Sequence, residues 1–206
     1  MLINCLYIYI SLIENFLPTG TQKLLTVILR PNVIYGEEDN HFLTKILGIA
    51  KENSGVLRRI EHVFTRIQPV YAGNVAFACL QAKDKIQIDS RIGGEIFYIN
   101  DDTKILEPFE FLEPYVKARG FQFSQRAYPF WIFILVFSLY TWLINLIWSI
   151  YPIKLPQNLT PANVRFFCTA YFFNRTKSIL RLDYEPLYNH EQSEAQSLQY
   201  YKKVAL

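Results

Sequence analysis

One stretch constrains this chain more than any other: residues 127–153, AYPFWIFILVFSLYTWLINLIWSIYPI, carry no charged side chain. As a single helix they would reach roughly 40 Å, beyond the roughly 30 Å of a bilayer's hydrocarbon. Tyr128 and Trp131 stand near one end and Trp148 and Tyr151 near the other, as interfacial aromatic belts do, and Arg126 and Lys154 close the segment. The reading is a membrane-associated helix over 127–153. Within it Ser138, Thr141, Asn145 and Ser149 recur at spacings of three and four, a polar stripe along one face. That stripe suits a spanning helix and an interfacial one equally, and the flanking basic residues are too evenly divided to orient it.

Around this segment the composition is that of a globular chain. Its 206 residues are 51% hydrophobic and 19% charged, which excludes a disordered tail, a collagen-like fibre or a coiled coil. A net charge of +3, with no run of basic residues longer than two, gives no electrostatic footprint for nucleic acid. Cys5, Cys79 and Cys168 lie far apart and His41, His62 and His190 are scattered, so neither a disulfide framework nor a zinc site is expected. The sequons at Asn158 and Asn174 read as chance occurrences. Residues 1–18, MLINCLYIYISLIENFLP, are apolar but interrupted by Glu14, with no basic leader; they read as a buried strand or helix and not as a signal peptide.

Between residues 24 and 103 strands and helices alternate. LLTVIL (24–29) is a β-branched apolar run that ends at Arg30-Pro31, a strand forced to exit by proline. After the turn at Tyr35-Gly36, residues 41–53 carry apolar positions at helical spacing, with Gly55 as the stop. RIQPVY (66–71) is a second strand, Asn74 an N-cap for a helix containing Val75, Ala78 and Ala82, and EIFYIN (95–100) a third strand. This alternation argues for α/β architecture, with too few strands for a complete doubly wound sheet.

Four of these blocks carry a resemblance: LRPNVIYGEED (29–39), QPVYAGNVAFACLQA (68–82), GGEIFYINDDT (93–103) and LDYEPLYNHEQS (182–193). In order and spacing the chain resembles the C-terminal half of the 3β-hydroxysteroid dehydrogenase/isomerase family of extended short-chain dehydrogenases. That resemblance implies a Rossmann-type fold, NAD as cofactor, oxidation of a steroid 3β-hydroxyl, and residence in the endoplasmic reticulum or mitochondrial membrane. It divides the chain into an atypical segment 1–21, the C-terminal part of the NAD-binding and substrate region at 22–126, the membrane helix at 127–153 and a helical remainder at 154–206. The fold expected is therefore α/β, an incomplete Rossmann-type half with a hydrophobic membrane-associated helix. Steroid, membrane and a second copy of the chain are the partners it suggests.

By motif position the resemblance makes Pro31, Asn32 and Val33 candidate cofactor contacts, although a rigid strand exit explains them equally. Tyr35 and Gly36 become candidate substrate contacts, with an ordinary turn as the rival reading. Parts of 42–47 and 68–71 would contribute to a lid. Two family features are absent from the sequence. No glycine-rich fingerprint joins a strand to a helix, and no lysine has a tyrosine four residues before it, so the pair that would lower a phenol's pKa for proton abstraction is missing. Such a chain reads as a dehydrogenase-family protein inactive by itself, or as a non-catalytic, membrane-anchored sterol-binding or interaction protein derived from that enzyme.

Overall fold

The computed structural model describes residues 8–13, 24–61, 65–148, 170 and 172–206. Its organising strand is β2 (Leu24–Pro31). Alternation along β2 sends Leu25, Val27 and Leu29 to one face, where all three are buried. They meet α2 (Ala72–Ile88) through Ala78, Ala82 and Ile86, also fully buried; the two alanines let helix and sheet approach closely. Burying side chains of this size contributes about 1.5–3 kcal/mol each.

Two strands flank β2. On one side β6 (Ile96–Ile99) runs parallel, with Ile28 opposite Ile96 and Pro31 opposite Ile99. On the other, β1 (Ile8–Ile13) runs antiparallel, from Ile8 opposite Leu29 to Ile13 opposite Leu24. The apolar N-terminal stretch thus does supply a strand. The far edge of β6 is covered by α5 (Thr176–Leu182): Lys177 Nζ donates to the Ile96 carbonyl at 2.9 Å and Ser178 Oγ to the Tyr98 carbonyl at 2.5 Å. Those carbonyls would otherwise be an open ladder.

A second core lies beside this sheet. It unites α1 (Leu43–Glu52), α3 (Pro108–Ala118) and α6 (His190–Lys203) around Phe42, Leu43, Leu47, Phe111, Tyr115 and Tyr201. Helix α6 opens with a capping box, in which Asn189 Oδ1 accepts from the Gln192 amide at 2.9 Å and Gln192 Oε1 from the Asn189 amide at 3.0 Å. Two short parallel pairs complete the architecture: β3 (Ile34–Tyr35) with β5 (Val70–Tyr71), and β4 (Val56–Glu61) with β7 (Gln122–Pro129).

Several elements differ from the sequence reading for identifiable reasons. The strand expected over 66–71 shrinks to Val70–Tyr71 because Pro69 offers no amide to a ladder; Ile67 keeps only an isolated bridge to Leu106. Helix α2 begins at Ala72, two residues before Asn74, so Asn74 is not its cap. The β4–β7 pair escaped the sequence because its strands are mostly exposed and lack an apolar alternation.

The expected helix over 127–153 is corrected most. Pairing of Arg59, Ile60 and Glu61 with Ala127, Tyr128 and Pro129 draws the first three residues into β7. Helix α4 then spans Phe130–Trp148, 19 residues, or roughly 28 Å at 1.5 Å per residue. Among the described residues no helix is long and apolar enough to cross a membrane. Residues 149–153, with Ser149 of the polar stripe, lie outside the described residues, as do Cys5, Cys168, His62 and Asn158. Asn174 is described: its Oδ1 accepts from the Thr176 amide at 2.7 Å, a turn that opens α5.

Candidate functional site

Because β2 and β6 run parallel, their carboxyl ends emerge together, the place where open α/β sheets bind ligands. From β2 come Pro31, Asn32 and Val33. Pro31 is buried as the last residue of the strand. Asn32 donates its amide to the Ile99 carbonyl at 3.4 Å, and its Oδ1 accepts from the Val33 amide at 2.8 Å. Val33 packs against the second core. From β6 come Asn100, Asp101, Asp102 and Thr103. The Asn100 side chain donates to the Phe173 carbonyl, while Arg175 donates to the Asn100 carbonyl at 3.4 Å and to Asp102 at 2.6 Å. The chain entering α5 is thereby fastened across the end of β6. Asn100 Oδ1 and the Tyr184 hydroxyl are buried without hydrogen-bond partners among the described residues.

Asp101 is the hub that the sequence reading missed. The residue is 3% exposed. Oδ2 accepts from the Tyr71 amide at 2.8 Å and from Asn74 Nδ2 at 2.9 Å, and Oδ1 accepts from the Thr103 amide at 2.9 Å. Asn74 also donates to the Tyr188 carbonyl at 2.9 Å and accepts from the Tyr188 amide at 2.8 Å. It therefore ties the segment before α6 to α2. Gly73 makes this closure possible: a Cβ there would stand 2.6 Å from the Tyr71 ring and 2.9 Å from the Tyr188 ring. The available signal was Asp-x-Thr straight after a strand, a turn in which the carboxylate bonds the amide two residues on.

The loop 35–39 forms the third wall. Tyr35 is 1% exposed, its hydroxyl 3.3 Å from Thr103 Oγ1 and its ring against Phe111, Tyr71 and Tyr115. Gly36 has φ of +134°, a conformation L side chains rarely adopt, and a Cβ there would meet the Tyr71 ring at 3.0 Å. Its amide donates to the Tyr201 hydroxyl at 2.9 Å. The Tyr71 hydroxyl contacts both Glu37 carboxylate oxygens, at 3.0 and 2.8 Å, and Gln196 Oε1 at 2.9 Å. Of the residues considered for a lid, Phe42, Leu43 and Leu47 face the core.

The electrostatics of this site run one way. Burial pushes the phenols of Tyr35, Tyr71, Tyr115 and Tyr201 well above their ordinary range, and the nearby carboxylates of Asp101, Glu37 and Asp39 push in the same direction. These phenols are permanent neutral donors near pH 7. Proton abstraction by a tyrosine needs the opposite shift, which a neighbouring lysine provides. Among the described residues the arrangement can orient and recognise a ligand, and its phenols favour the neutral form.

Comparison with known proteins fits this geometry to a family. The family model described as 3-beta hydroxysteroid dehydrogenase/isomerase matches residues 12–130, more than half of the chain and all of the strand ends described above. The chain belongs to that family. A mouse relative, 3 beta-hydroxysteroid dehydrogenase type 7, is 27% identical over 190 residues, covering 88% of this chain and 49% of the relative. This family member thus spans about half the length of the curated relative it matches. Among solved structures, gox2253 aligns with TM-score 0.56 and 15% identity, over 86% of this chain and 49% of that one. A UDP-glucose-4-epimerase from Stenotrophomonas maltophila, solved with bound NAD and formylated UDP-arabinopyranose, aligns with TM-score 0.52 and 8% identity over 85% and 47%. At such identities the likeness is one of fold, an α/β sheet with parallel strands as in Rossmann-type dehydrogenases and epimerases.

Among the described residues, the β5–α2 turn offers a whole dinucleotide no cradle. Binding its pyrophosphate takes a strand-to-helix turn with inward-facing amides. At the β5–α2 turn the Tyr71 amide is spent on Asp101, and the rings of Tyr71 and Tyr188 occupy the space beside Gly73.

Proposed function

We propose that the chain forms the substrate-side portion of an NAD-dependent 3β-hydroxysteroid dehydrogenase, binding a steroid whose 3β-hydroxyl such enzymes oxidise. The observation that carries this reading is the family match over residues 12–130, which embraces the loops after β2 and β6 together. Pro31, Asn32 and Val33 are assigned to the nicotinamide side and Tyr35 and Gly36 to the steroid side. Hydride and proton transfer require a tyrosine and lysine pair that the sequence lacks, so these 206 residues bind without turning over. The exposed Trp131, Leu135, Leu139 and Trp142 on α4 support attachment to the membrane of the endoplasmic reticulum or mitochondrion.

The test uses the purified chain in detergent with dehydroepiandrosterone and NAD. Calorimetric steroid binding without NADH absorbance is the expected result. Appearance of NADH would refute the assignment of the chain as non-reacting, and absence of steroid binding would refute the substrate class. A second reading, a non-catalytic sterol-binding protein, is favoured by one feature: β1 already occupies the edge of β2, so the sheet needs no further strand there. Cooperative thermal unfolding of the chain alone is what that reading requires.

A further inference from the structure

We propose that Tyr201 is a positioning residue: from the last helix it sets the shape of the loop 35–39, the loop read above as facing the steroid. The loop has few backbone bonds of its own. Asp39 donates its amide to the Gly36 carbonyl at 3.4 Å, a long contact, and the Gly36 amide has no strand partner. Tyr201, 0% exposed in α6, closes the gap with one oxygen. Its hydroxyl accepts from the Gly36 amide at 2.9 Å and donates to Asp39 Oδ2 at 2.9 Å.

Asp39 in turn carries the start of α1. Its Oδ1 accepts from the amides of His41 at 2.9 Å and Phe42 at 2.8 Å, and its Oδ2 from Leu43 at 2.6 Å and Thr44 at 3.4 Å. A negative carboxylate against four amides at a helix start is the favourable sense of the helix dipole. Burial and the Asp39 charge keep the Tyr201 phenol protonated, so the donor persists. Gln196, one turn earlier on α6, stands 2.9 Å from the Tyr71 hydroxyl, which donates to Glu37 within the same loop. Helix α6 is anchored independently: Tyr115 and Ser197 hydroxyls lie 3.0 Å apart, and Arg119 donates to the Lys202 carbonyl at 2.7 Å. The loop leaves β3, yet its conformation is dictated from a helix more than 150 positions away in sequence.

Residue-resolved amide exchange tests this without a ligand. In the parent chain the Gly36 amide is expected to be protected to a degree comparable with Leu29 in β2; a freely exchanging Gly36 overturns the proposal with no variant needed. In Tyr201→Phe, exchange at Gly36, Leu43 and Thr44 is expected to rise tenfold or more beyond any change at the β2 amides. Unchanged loop amides, or acceleration of every amide together, overturn it. Tyr115→Phe, which loses the Ser197 contact and keeps its ring against Tyr35, is expected to leave Gly36 protected; loss of protection there as well would make the effect general loosening and overturn it. The functional half rests on the steroid reading: Tyr201→Phe is expected to weaken dehydroepiandrosterone binding at least tenfold. Absence of binding by the parent chain overturns that reading alone, and the exchange rates then decide the role of Tyr201.

Discussion

Asp101 shows how much of this site rests on single side chains. Asp101→Ala would leave the Tyr71 amide, the Asn74 side chain and the Thr103 amide without their acceptor, all in buried positions. The expected cost is about 3 kcal/mol or more, read as a drop in unfolding free energy by urea titration. Gly73→Ala is expected to cost about 1–3 kcal/mol, because the rings that would have to yield are themselves held by hydrogen bonds and packing. The buried tyrosines set the alkaline limit. Tyr35, Tyr71, Tyr115, Tyr184 and Tyr201 have folded pKa values raised above the unfolded value, so the folded state keeps protons that the unfolded chain releases. Their contribution is complete below about pH 10 and falls above it, by about 1.4 kcal/mol per pH unit for each phenol still protonated. Melting temperatures measured across that range check this; tyrosinate absorbance from these residues in the folded state near pH 10 would contradict it.

At the scale of elements, close packing of α2 on β2 depends on Ala78 and Ala82. Ala78→Leu is expected to cost about 1–3 kcal/mol, seen as a lower urea midpoint with unchanged slope. The elements legible in the sequence were those with a strong internal pattern. Strand β2 announced itself by β-branched residues and the following proline, and α1 by its apolar spacing and the stop at Gly55, whose amide bonds the Ala50 carbonyl at 2.8 Å. Helix α2 and β6 were placed within a few residues. What stayed hidden was set by partners distant in sequence. Nothing in QFSQRAYP marks a strand until VLRRIE lies beside it. Likewise Asn74 looks like a cap until Tyr188 and Asp101 supply its partners. Tyr201 and Asp39, separated by most of the chain, left no local trace at all.

At the scale of the molecule, the exposed apolar surface of the described residues is concentrated on α4, where Trp131 is 65% and Trp142 60% exposed. Interfacial binding predicts that the chain co-floats with phospholipid vesicles and that Trp131→Ser/Trp142→Ser releases it without lowering its melting temperature. Retention of the double variant on vesicles would exclude α4 as the contact. The sheet carries a different consequence. Lys177 and Ser178 occupy the outward carbonyls of β6, while β1 forms the opposite margin. Among the described residues this three-stranded sheet can be extended from one side only, and such an array is self-terminating: two copies joined through β1 would leave it no open margin. Growth of this sheet into fibrils requires two open sides, and α5 denies it the second.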